Sequence, residues 1–393
     1  MKLTNIARTL RNNKVRLSAE LILNSGKKHT VYFEIEKKFK DLISTDASPF
    51  LPASLLMAMK KNENLEIDGS ISEKLSASLP KVMKMIDAWY FGFKPISVVP
   101  RSLNDGLNKT RNVGCFFSGG VDSFYTYLRN KKKVSHLIFV HGFDIKVNNL
   151  ELYKKVERNI LKIAAAQKVE LVRVRTNARE ILDKYFDWDP VHPFALASVA
   201  LFLHSGFREI YMSCGQTGHR EKHSYMIPDM DVLWSTEGVN VVHFGCRADK
   251  IAKLRLLSKS RLAKENLRVC WVNRHGQYNC SECEKCFRNM LALYAIGTLA
   301  KFKTFNPNIN LGKLKNIKID HKPLAYFMTV LNTLRRNNDT SPVRDALEAC
   351  IKNNQSPSFD RKLFIELRNF VNYFDKKYNQ NRLYWFLAKK NFI

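Results

Sequence analysis

Apolar and polar residues alternate along two neighbouring stretches near the amino end of the chain. Apolar side chains occupy every second position of both stretches, namely Val15, Leu17, Ala19, Leu21, Leu23, Val31, Phe33 and Ile35. The turn-forming segment Asn24-Ser25-Gly26 lies between them, so the pattern predicts a β-hairpin with one buried face. Apolar residues then follow at helical spacing over 49–59 and 72–91. Residues 1–105 are therefore predicted to form a small α+β domain.

From residue 111 the pattern changes to short apolar strands that alternate with helices. The predicted elements are strand 113–117, helix 123–129, strand 136–140, helix 150–166 and strand 169–174. Such alternation is typical of an α/β domain, a parallel sheet with helices on both faces, and we assign it to residues 106–300. Because ligands of open α/β sheets bind beyond the carboxyl ends of the strands, residues that follow each strand are the site candidates.

The apolar spacing is helical again in the last part of the chain. Ser341-Pro342 and Ser358-Phe359-Asp360 have the composition of helix starts, and an apolar helical face follows the second of them. Residues 301–393 are therefore predicted to be a helical carboxyl-terminal region, which makes three regions in all.

The composition is that of a globular protein, with 45% hydrophobic and 26% charged residues. We find no run of about 18 apolar residues and no secretory signal, so we expect a cytoplasmic protein with no membrane partner. Lysine and arginine outnumber acidic residues by 65 to 36, and a formal charge of +29 would attract nucleic acid or another polyanion. The basic residues are spread along the chain, so a general richness in lysine explains the charge equally well.

The segment Ser118-Gly119-Gly120-Val121-Asp122-Ser123 joins a predicted strand to a predicted helix. Adjacent glycines allow a tight turn that brings backbone N–H groups close to an anion, and the helix N-terminus adds positive charge. Ser118 and Ser123 can donate hydroxyl hydrogen bonds to phosphate, and Asp122 is placed to hold Mg²⁺. We therefore predict an ATP site that stabilises departing pyrophosphate, with Asp122 and Ser123 as catalytic candidates. An ordinary strand-to-helix turn is the alternative.

This hexapeptide resembles the S-G-G-x-D-S motif of the PP-loop ATP pyrophosphatases. The resemblance implies that a substrate oxygen is adenylated, that pyrophosphate leaves, and that a nucleophile displaces AMP. The lysine-bearing G-x-x-x-x-G-K-[ST] loop of kinases and GTPases is absent at this place, which speaks against γ-phosphoryl transfer. In the family the second strand ends near the adenine and ribose, so His141 becomes a nucleotide-binding candidate. A surface loop histidine without a ligand is its alternative.

Four of the eight cysteines form the cluster Cys270, Cys280, Cys283 and Cys286, with the spacing C-x9-C-x2-C-x2-C. Four thiolates satisfy tetrahedral Zn²⁺, and two-residue gaps let neighbouring sulfurs reach one ion. The cluster therefore predicts a closed structural zinc site. An iron–sulfur cluster and a set of buried thiols are the alternatives.

The cysteine cluster and the phosphate loop together resemble the 7-cyano-7-deazaguanine (preQ0) synthase group and its homologues, over residues 111–300. That resemblance implies adenylation of a 7-deazaguanine-like carboxylate, followed by attack of ammonia or another amine to give an amide or a nitrile. Homologues with added domains occur in bacterial antiphage gene clusters, where the amine can belong to a protein. The additional regions 1–105 and 301–393 make this chain similar to those diverged homologues, which implies a protein partner in a multi-gene system.

Polar residues after other predicted strands are further candidates. Asn177 offers an amide for a purine edge and Arg179 a fork for a carboxylate or phosphate, although a basic helix start is the alternative. His192 precedes an apolar helix and would cap it or contact substrate. Carboxylates and hydroxyls that would bind an exocyclic amine are Asp229, Asp231, Ser235 and Glu237.

The loop after strand 209–212, which runs to residue 224, is dense in polar groups and is expected to set acceptor specificity. His219 and His223 within it stand four residues apart, as in metal-binding helices. Arg220 replaces the glutamate of an H-E-x-x-H motif, so solvated charge is the favoured interpretation.

Two other functions compete with the leading hypothesis of an acyl-adenylating synthase. The first is a tRNA-modifying PP-loop enzyme, favoured by the charge and disfavoured because no Cys-x-x-Cys pair lies outside the predicted zinc cluster. The second is a nucleotide-binding subunit of a defence complex with a degenerate site, which the intact Asp122 and Ser123 disfavour.

Overall fold

The computed structural model describes residues 1–89, 92–106, 110–215, 228–319 and 321–355, without the side chains of residues 275, 321 and 322. The strands are β1 (Lys2–Arg11), β2 (Lys14–Ile22), β3 (Lys28–Glu36), β4 (Leu65–Ser72), β5 (Val98–Asn104), β6 (Val113–Phe116), β7 (His136–His141), β8 (Glu170–Thr176), β9 (Glu209–Ser213) and β10 (Asn240–Phe244).

The α-helices are α1 (Leu51–Lys61), α2 (Glu73–Trp89), α3 (Val121–Asn130), α4 (Leu150–Gln167), α5 (Ala178–Leu182), α6 (Trp188–Phe202), α7 (Pro228–Asp231), α8 (Lys250–Leu257), α9 (Arg261–Asn266), α10 (Glu284–Ala295), α11 (Leu311–Asn316), α12 (His321–Arg336) and α13 (Pro342–Gln355). Short 3-10 helices cover Lys37–Leu42, Ser48–Phe50, Val232–Trp234, Arg274–Gly276 and Leu299–Lys301.

One mostly parallel sheet contains these ten strands, in the order β10-β9-β6-β7-β8-β3-β2-β1-β4-β5. Neighbours from β10 to β8 run parallel, as do β1, β4 and β5. The pairs β8–β3, β3–β2 and β2–β1 are antiparallel. Strand β6 is buried at every residue, the pattern of a central strand of such a sheet. The α/β class predicted from the alternating pattern is confirmed.

The predicted hairpin is also confirmed, because β2 and β3 pair antiparallel with Leu17 opposite Phe33. The alternating residues of both strands are buried. They belong to one hydrophobic cluster that also contains residues of α6, such as Phe194 and Phe202. The hairpin therefore shares its core with the α/β region.

The junction between β3 and β8 joins the amino-terminal strands to the remainder of the sheet. Its backbone register pairs Phe33 with Thr176 and Glu34 with Arg175. The Asn177 side chain extends this junction, since its Oδ1 accepts from Tyr32 N at 3.0 Å and its Nδ2 donates to Thr30 O at 2.8 Å. The boundary that the sequence pattern placed at residue 105 thus falls between two strands of one continuous sheet.

The chain divides into two compact units, and the boundary between them does not lie at residue 105. The first comprises Met1–Cys280 with Ala300–Phe305, and the second comprises Ser281–Leu299 with Asn306–Ile393. In the second unit, α12 packs on α10 and α13, and α11 packs on α13. Asn354 of α13 accepts from Ile319 N at 2.8 Å and donates to Ile317 O at 2.9 Å.

The helix start predicted at Ser341-Pro342 is confirmed, because α13 begins at Pro342. The helix start predicted at Ser358-Phe359-Asp360 lies outside the described residues. In the described part of the chain, no helix combines the length and the apolar character that crossing a membrane requires.

Candidate functional site

The segment 118–123 covers the turn after β6 and the first residues of α3, so it joins a strand to a helix as the sequence predicts. Gly119 has φ +76°, in the left-handed region that favours glycine, and Gly120 is the N-cap of α3 without a side-chain cap. The backbone amides of this turn therefore stand at the positive end of a ten-residue helix. That is the geometry in which proteins bind phosphate groups.

The two serines of the loop bond within it. Ser123 Oγ donates to Gly120 O at 3.0 Å and accepts from Ser118 N at 3.3 Å. Ser118 Oγ accepts from Gly120 N at 3.3 Å and lies 3.4 Å from Ser123 Oγ. Both hydroxyls therefore lie beside the backbone donors with which they would share an anion.

Asp122 forms an ion-pair cluster with two lysines from the first turn of α8. Lys253 Nζ lies 2.8 Å from Asp122 Oδ1, and Lys250 Nζ lies 3.0 Å from Oδ2. Burial by itself would raise the pKa of Asp122, but the two ammonium charges outweigh it and hold the pKa at about 2. Asp122 is therefore a carboxylate at neutral pH, and one positive charge is left over in the cluster.

The lysines stand at a position that is unfavourable for cations in an isolated helix. Lys250 is the first residue of α8, whose N-cap Asp249 accepts from Ala252 N at 2.7 Å. A helix N-terminus repels positive charge, so the ion pair with Asp122 must offset this repulsion. Lys253 is 2% exposed and also donates to the Cys214 carbonyl at 2.6 Å.

These two lysines are not apparent as site residues from the sequence alone. The signal that could have found them is the pair Lys250 and Lys253, three residues apart directly after an Asp N-cap, at the carboxyl end of a strand. Lysines are frequent in this chain, and only the fold brings this pair to Asp122.

A third segment, which includes Arg268, packs against the glycine turn. Arg268 N donates to Gly119 O at 2.8 Å, and a Cβ on Gly119 would lie 3.7 Å from the Arg268 Cβ. The Arg268 side chain is buried and donates to Asn273 Oδ1 at 3.4 Å, while its Nε has no hydrogen-bond partner among the residues described. The backbone of Arg268 therefore supports the glycine turn from an adjacent segment.

The four clustered cysteines come together as the spacing predicts. Cys270, Cys280, Cys283 and Cys286 are all buried, and their sulfurs lie within 4.8 Å of one another. Asn273 N donates to Cys270 Sγ at 3.2 Å. Cys283 is the N-cap of α10, so the helix N-terminus also favours thiolate. The group could hold a metal ion such as zinc.

Asn279 shapes the turn that carries the first two of these cysteines. Its Oδ1 accepts from Val269 N at 2.9 Å and from Cys270 N at 3.1 Å, and its Nδ2 donates to Leu267 O at 2.9 Å. This side chain thereby satisfies backbone groups of a segment without regular secondary structure.

Comparisons of the chain with protein-family models, with curated proteins and with solved structures found no match. Any function assigned to this chain therefore rests on its own residues, on their geometry and on the motifs that they form.

His141 lies at the end of β7, but its side-chain contacts are with residues outside the 118–123 loop. Its ring stacks on Tyr153 at 4.0 Å between centroids and its Nε2 lies 3.2 Å from Lys146 O. Burial lowers its pKa, so the ring is neutral at pH 7. It lines a cavity of about 260 Å³ whose walls carry charged residues such as Glu157 and Arg173. A role of His141 in nucleotide binding remains a prediction.

Several other candidate residues are engaged in internal bonds. Asn177 holds β3 to β8 as described, and Arg179 donates to Phe143 O at 2.7 Å and lies over the Trp188 ring. His192 does not cap its helix, because α6 begins at Trp188 and the His192 ring bonds Asp189 O within it. The expectation that His192 caps this helix was wrong, because the helix begins four residues earlier and Pro193 lies inside it.

The carboxylates expected to bind an amine also have partners. Glu237 accepts from Ser72 Oγ at 2.7 Å and from Lys74 N at 2.6 Å, while Asp231 pairs with His243. Ser235 Oγ donates to Val232 O at 2.7 Å. Asp229 lies in α7. The loop with His219, Arg220 and His223 lies outside the described residues.

Proposed function

We propose that this chain is a PP-loop-type ligase that adenylates a carboxylate with ATP, releases pyrophosphate and passes the acyl group to an amine. The observation that carries this proposal is the turn of residues 118–123 at the N-terminus of α3, with Lys250, Lys253 and Arg268 against it. Two lysine ammonium groups and a helix N-terminus at one glycine turn favour a polyanion over a neutral ligand.

The pyrophosphate part of ATP is an anion with many hydrogen-bond acceptors, which matches the donors and cations at this turn. The amide of Gly120 and the hydroxyls of Ser118 and Ser123 would donate to phosphate oxygens. Lys250, whose side chain is 15% exposed, would neutralise the negative charge that develops on the leaving group. Lys253 is nearly fully buried and holds Asp122, so its role is to position the loop.

Magnesium would accompany the triphosphate and neutralise charge on the departing pyrophosphate. Both oxygens of Asp122 accept from lysine ammonium groups, so the carboxylate could ligate the ion only if Lys250 released it. Phosphate oxygens and water would then supply the remaining ligands, as Mg²⁺ prefers.

The acceptor is a carboxylate of the 7-deazaguanine class, by resemblance to the preQ0 synthases. Attack of the carboxylate oxygen on the α-phosphorus forms the acyl-adenylate and breaks the α–β bond. An amine then attacks the acyl carbon, AMP leaves, and an amide forms. Where the amine is ammonia, a second ATP would adenylate the amide oxygen with release of pyrophosphate, and loss of AMP and two protons would leave a nitrile. The protein needs no nucleophile of its own, because it binds and orients both substrates.

The buried four-cysteine group fits a structural Zn²⁺ ion, since closed thiolate coordination leaves no position for a substrate. Zinc would fix the segment that includes Arg268 and Cys270, whose backbone bonds the glycine turn. Removal of the metal should therefore weaken the contact between this segment and the glycine turn.

Pyrophosphate release under multiple turnover tests the proposal. The purified chain, ATP, Mg²⁺, ammonia and a panel of deazapurine carboxylates should give AMP and pyrophosphate in equal amounts. Lys250→Met should lower this rate by about 100-fold or more, as expected when a phosphate-binding cation is lost. Lys259→Met, at an exposed position after the same helix, should leave it within twofold.

Release of ADP and inorganic phosphate in place of AMP and pyrophosphate would contradict the proposed bond cleavage. Retention of tRNA in a gel-shift assay, with a rate that depends on tRNA instead of the deazapurine, would favour the tRNA-modifying alternative.

A further inference from the structure

A second group of metal-binding side chains lies at the carboxyl ends of two neighbouring strands. Cys214 follows β9, His243 belongs to β10, and Cys246 lies two residues beyond β10. One ligand atom from each of these residues lies within 4.8 Å of the other two. The structure joins Cys214 and Cys246 as a disulfide, with 5.2 Å between their Cα atoms.

His243 is held in the arrangement that metal-binding histidines require. Its Nδ1 hydrogen-bonds to Asp231 Oδ2, and the two side chains are 1% and 0% exposed. Within the part of the chain that the structure describes, His243 Nε2 has no hydrogen-bond partner. A carboxylate on one ring nitrogen fixes the tautomer and directs the lone pair of the other nitrogen to a metal.

If Asp231 and His243 had only a structural role, the unsatisfied Nε2 of His243 would have no explanation. A fully buried imidazole with one unsatisfied nitrogen has lost a hydrogen bond that it made in water, which is unfavourable. A metal ion bound by His243 Nε2 and by the two cysteine sulfurs would satisfy this nitrogen.

We propose that the reduced chain binds a zinc ion through Cys214, Cys246 and His243 Nε2, with Asp231 as the positioning residue. A dithiol reductant would first transfer two electrons and two protons to the disulfide and become a disulfide itself. Zinc would then bind as the two thiols release their protons. Three protein ligands leave the fourth tetrahedral position to water or to a substrate group.

The location links this site to the lysine cluster. The Cys214 carbonyl accepts from Lys253 Nζ, which also bonds Asp122. A metal on Cys214 would therefore fix the end of β9 at the residue that anchors Lys253. The inference requires neither ATP binding nor zinc in the four-cysteine group, because its ligands belong to neither.

Zinc content of the full-length chain tests this site. Each protein is reduced with dithiothreitol, loaded with zinc sulfate and dialysed, and its zinc is measured by inductively coupled plasma mass spectrometry. The Cys246→Ser and His243→Gln variants should each contain about one zinc ion per chain less than the wild type. Cys350→Ser removes a buried thiol that belongs to neither group of metal-binding residues, and this variant should lose no zinc. Cys280→Ser tests the four-cysteine group separately, and combined with Cys246→Ser the losses should add.

Asp231→Asn provides a test that does not remove a ligand. Its zinc affinity, measured by competition with a chromophoric chelator, should fall by about 10- to 100-fold, while the surface control Asp183→Asn leaves it unchanged. Circular dichroism verifies that each variant is folded. Equal zinc content in reduced wild type and folded Cys246→Ser, or an unchanged affinity in folded Asp231→Asn, would overturn the proposal.

Discussion

Asp122 is the residue on which the electrostatics of the phosphate loop depend. Its carboxylate lies between Lys250 and Lys253, and the Lys253 side chain is almost entirely shielded from solvent. An ammonium group buried without a counter-charge is costly, whereas the paired state is tolerated. The ion pair therefore has a structural role as well as the proposed functional one.

Asp122→Asn should lower the free energy of unfolding by about 3 kcal/mol at pH 7, because it leaves the buried Lys253 ammonium uncompensated. Urea denaturation followed by circular dichroism measures this change. Asp183→Asn breaks an exposed ion pair with Arg179 and should cost less than about 1 kcal/mol. Equal effects of the two substitutions would mean that Lys253 does not depend on Asp122.

The same carboxylate predicts a pH dependence. Its pKa is lowered from 3.8 to about 2 in the folded chain, so its stabilisation is fully present above the unfolded value. About 2 kcal/mol is then lost as the pH falls through 3.8 towards 2, with about half remaining at pH 3. The stability difference between wild type and Asp122→Asn should shrink over that interval. A difference that stays constant from pH 6 to pH 2 would contradict the assignment.

At the scale of elements, the end of β7 is packed tightly against the end of β8. Gly142 follows β7 with φ +117°, and a Cβ there would lie 1.9 Å from Thr176 O. Backbone atoms cannot give way as a flexible side chain can. The turn therefore requires glycine, for both conformation and space.

Gly142→Ala should destabilise the chain by about 3 kcal/mol or more, because strand ends must separate to admit the methyl group. Gly106→Ala, whose Cβ would meet only the Asn104 side chain at 3.7 Å among the described residues, should change stability by about 0.5 kcal/mol or less. Thermal unfolding of the two variants measures the contrast. Similar melting temperatures would show that the β7–β8 junction can relax.

Local pattern was sufficient to predict the hairpin, strands β6 to β9 and the loop between β6 and α3. These elements are governed by alternation, by helical spacing or by a glycine pair, all of which act over a few residues. Strand β1 was not predicted, since its residues are largely exposed beyond Leu3. Its pairing with β2 and β4 depends on contacts that are distant in sequence.

The site was predictable to the same extent and for the same reason. The loop 118–123 and the four cysteines are contiguous or nearly so, whereas Lys250, Lys253 and Arg268 reach Gly119 and Asp122 only through the fold. The roles first assigned to Asn177 and Arg179 were ambiguous because the same amide and guanidinium groups can bind a ligand or join two strands. Here they join parts of the protein.

At the scale of the whole molecule, one sheet and one hydrophobic cluster connect the amino-terminal hairpin to the α/β region. Residues of β2, β3 and α6 belong to that cluster. Unfolding of either part would therefore expose the apolar core residues of the other. The hairpin and β6–β8 should therefore show the same free energy of opening in native-state hydrogen exchange. A hairpin that opens at much lower free energy would instead identify an independent domain ending near residue 105.

The central claim is that residues 118–123 bind the phosphates of ATP. A crystal structure with Mg²⁺ and α,β-methylene ATP, which cannot be cleaved at the proposed bond, tests it most directly. We expect the β- and γ-phosphates to contact the Gly120 amide, Ser123 Oγ and Lys250 Nζ. A nucleotide bound elsewhere, or phosphates that leave the Asp122–Lys250 ion pair and the glycine turn untouched, would contradict it.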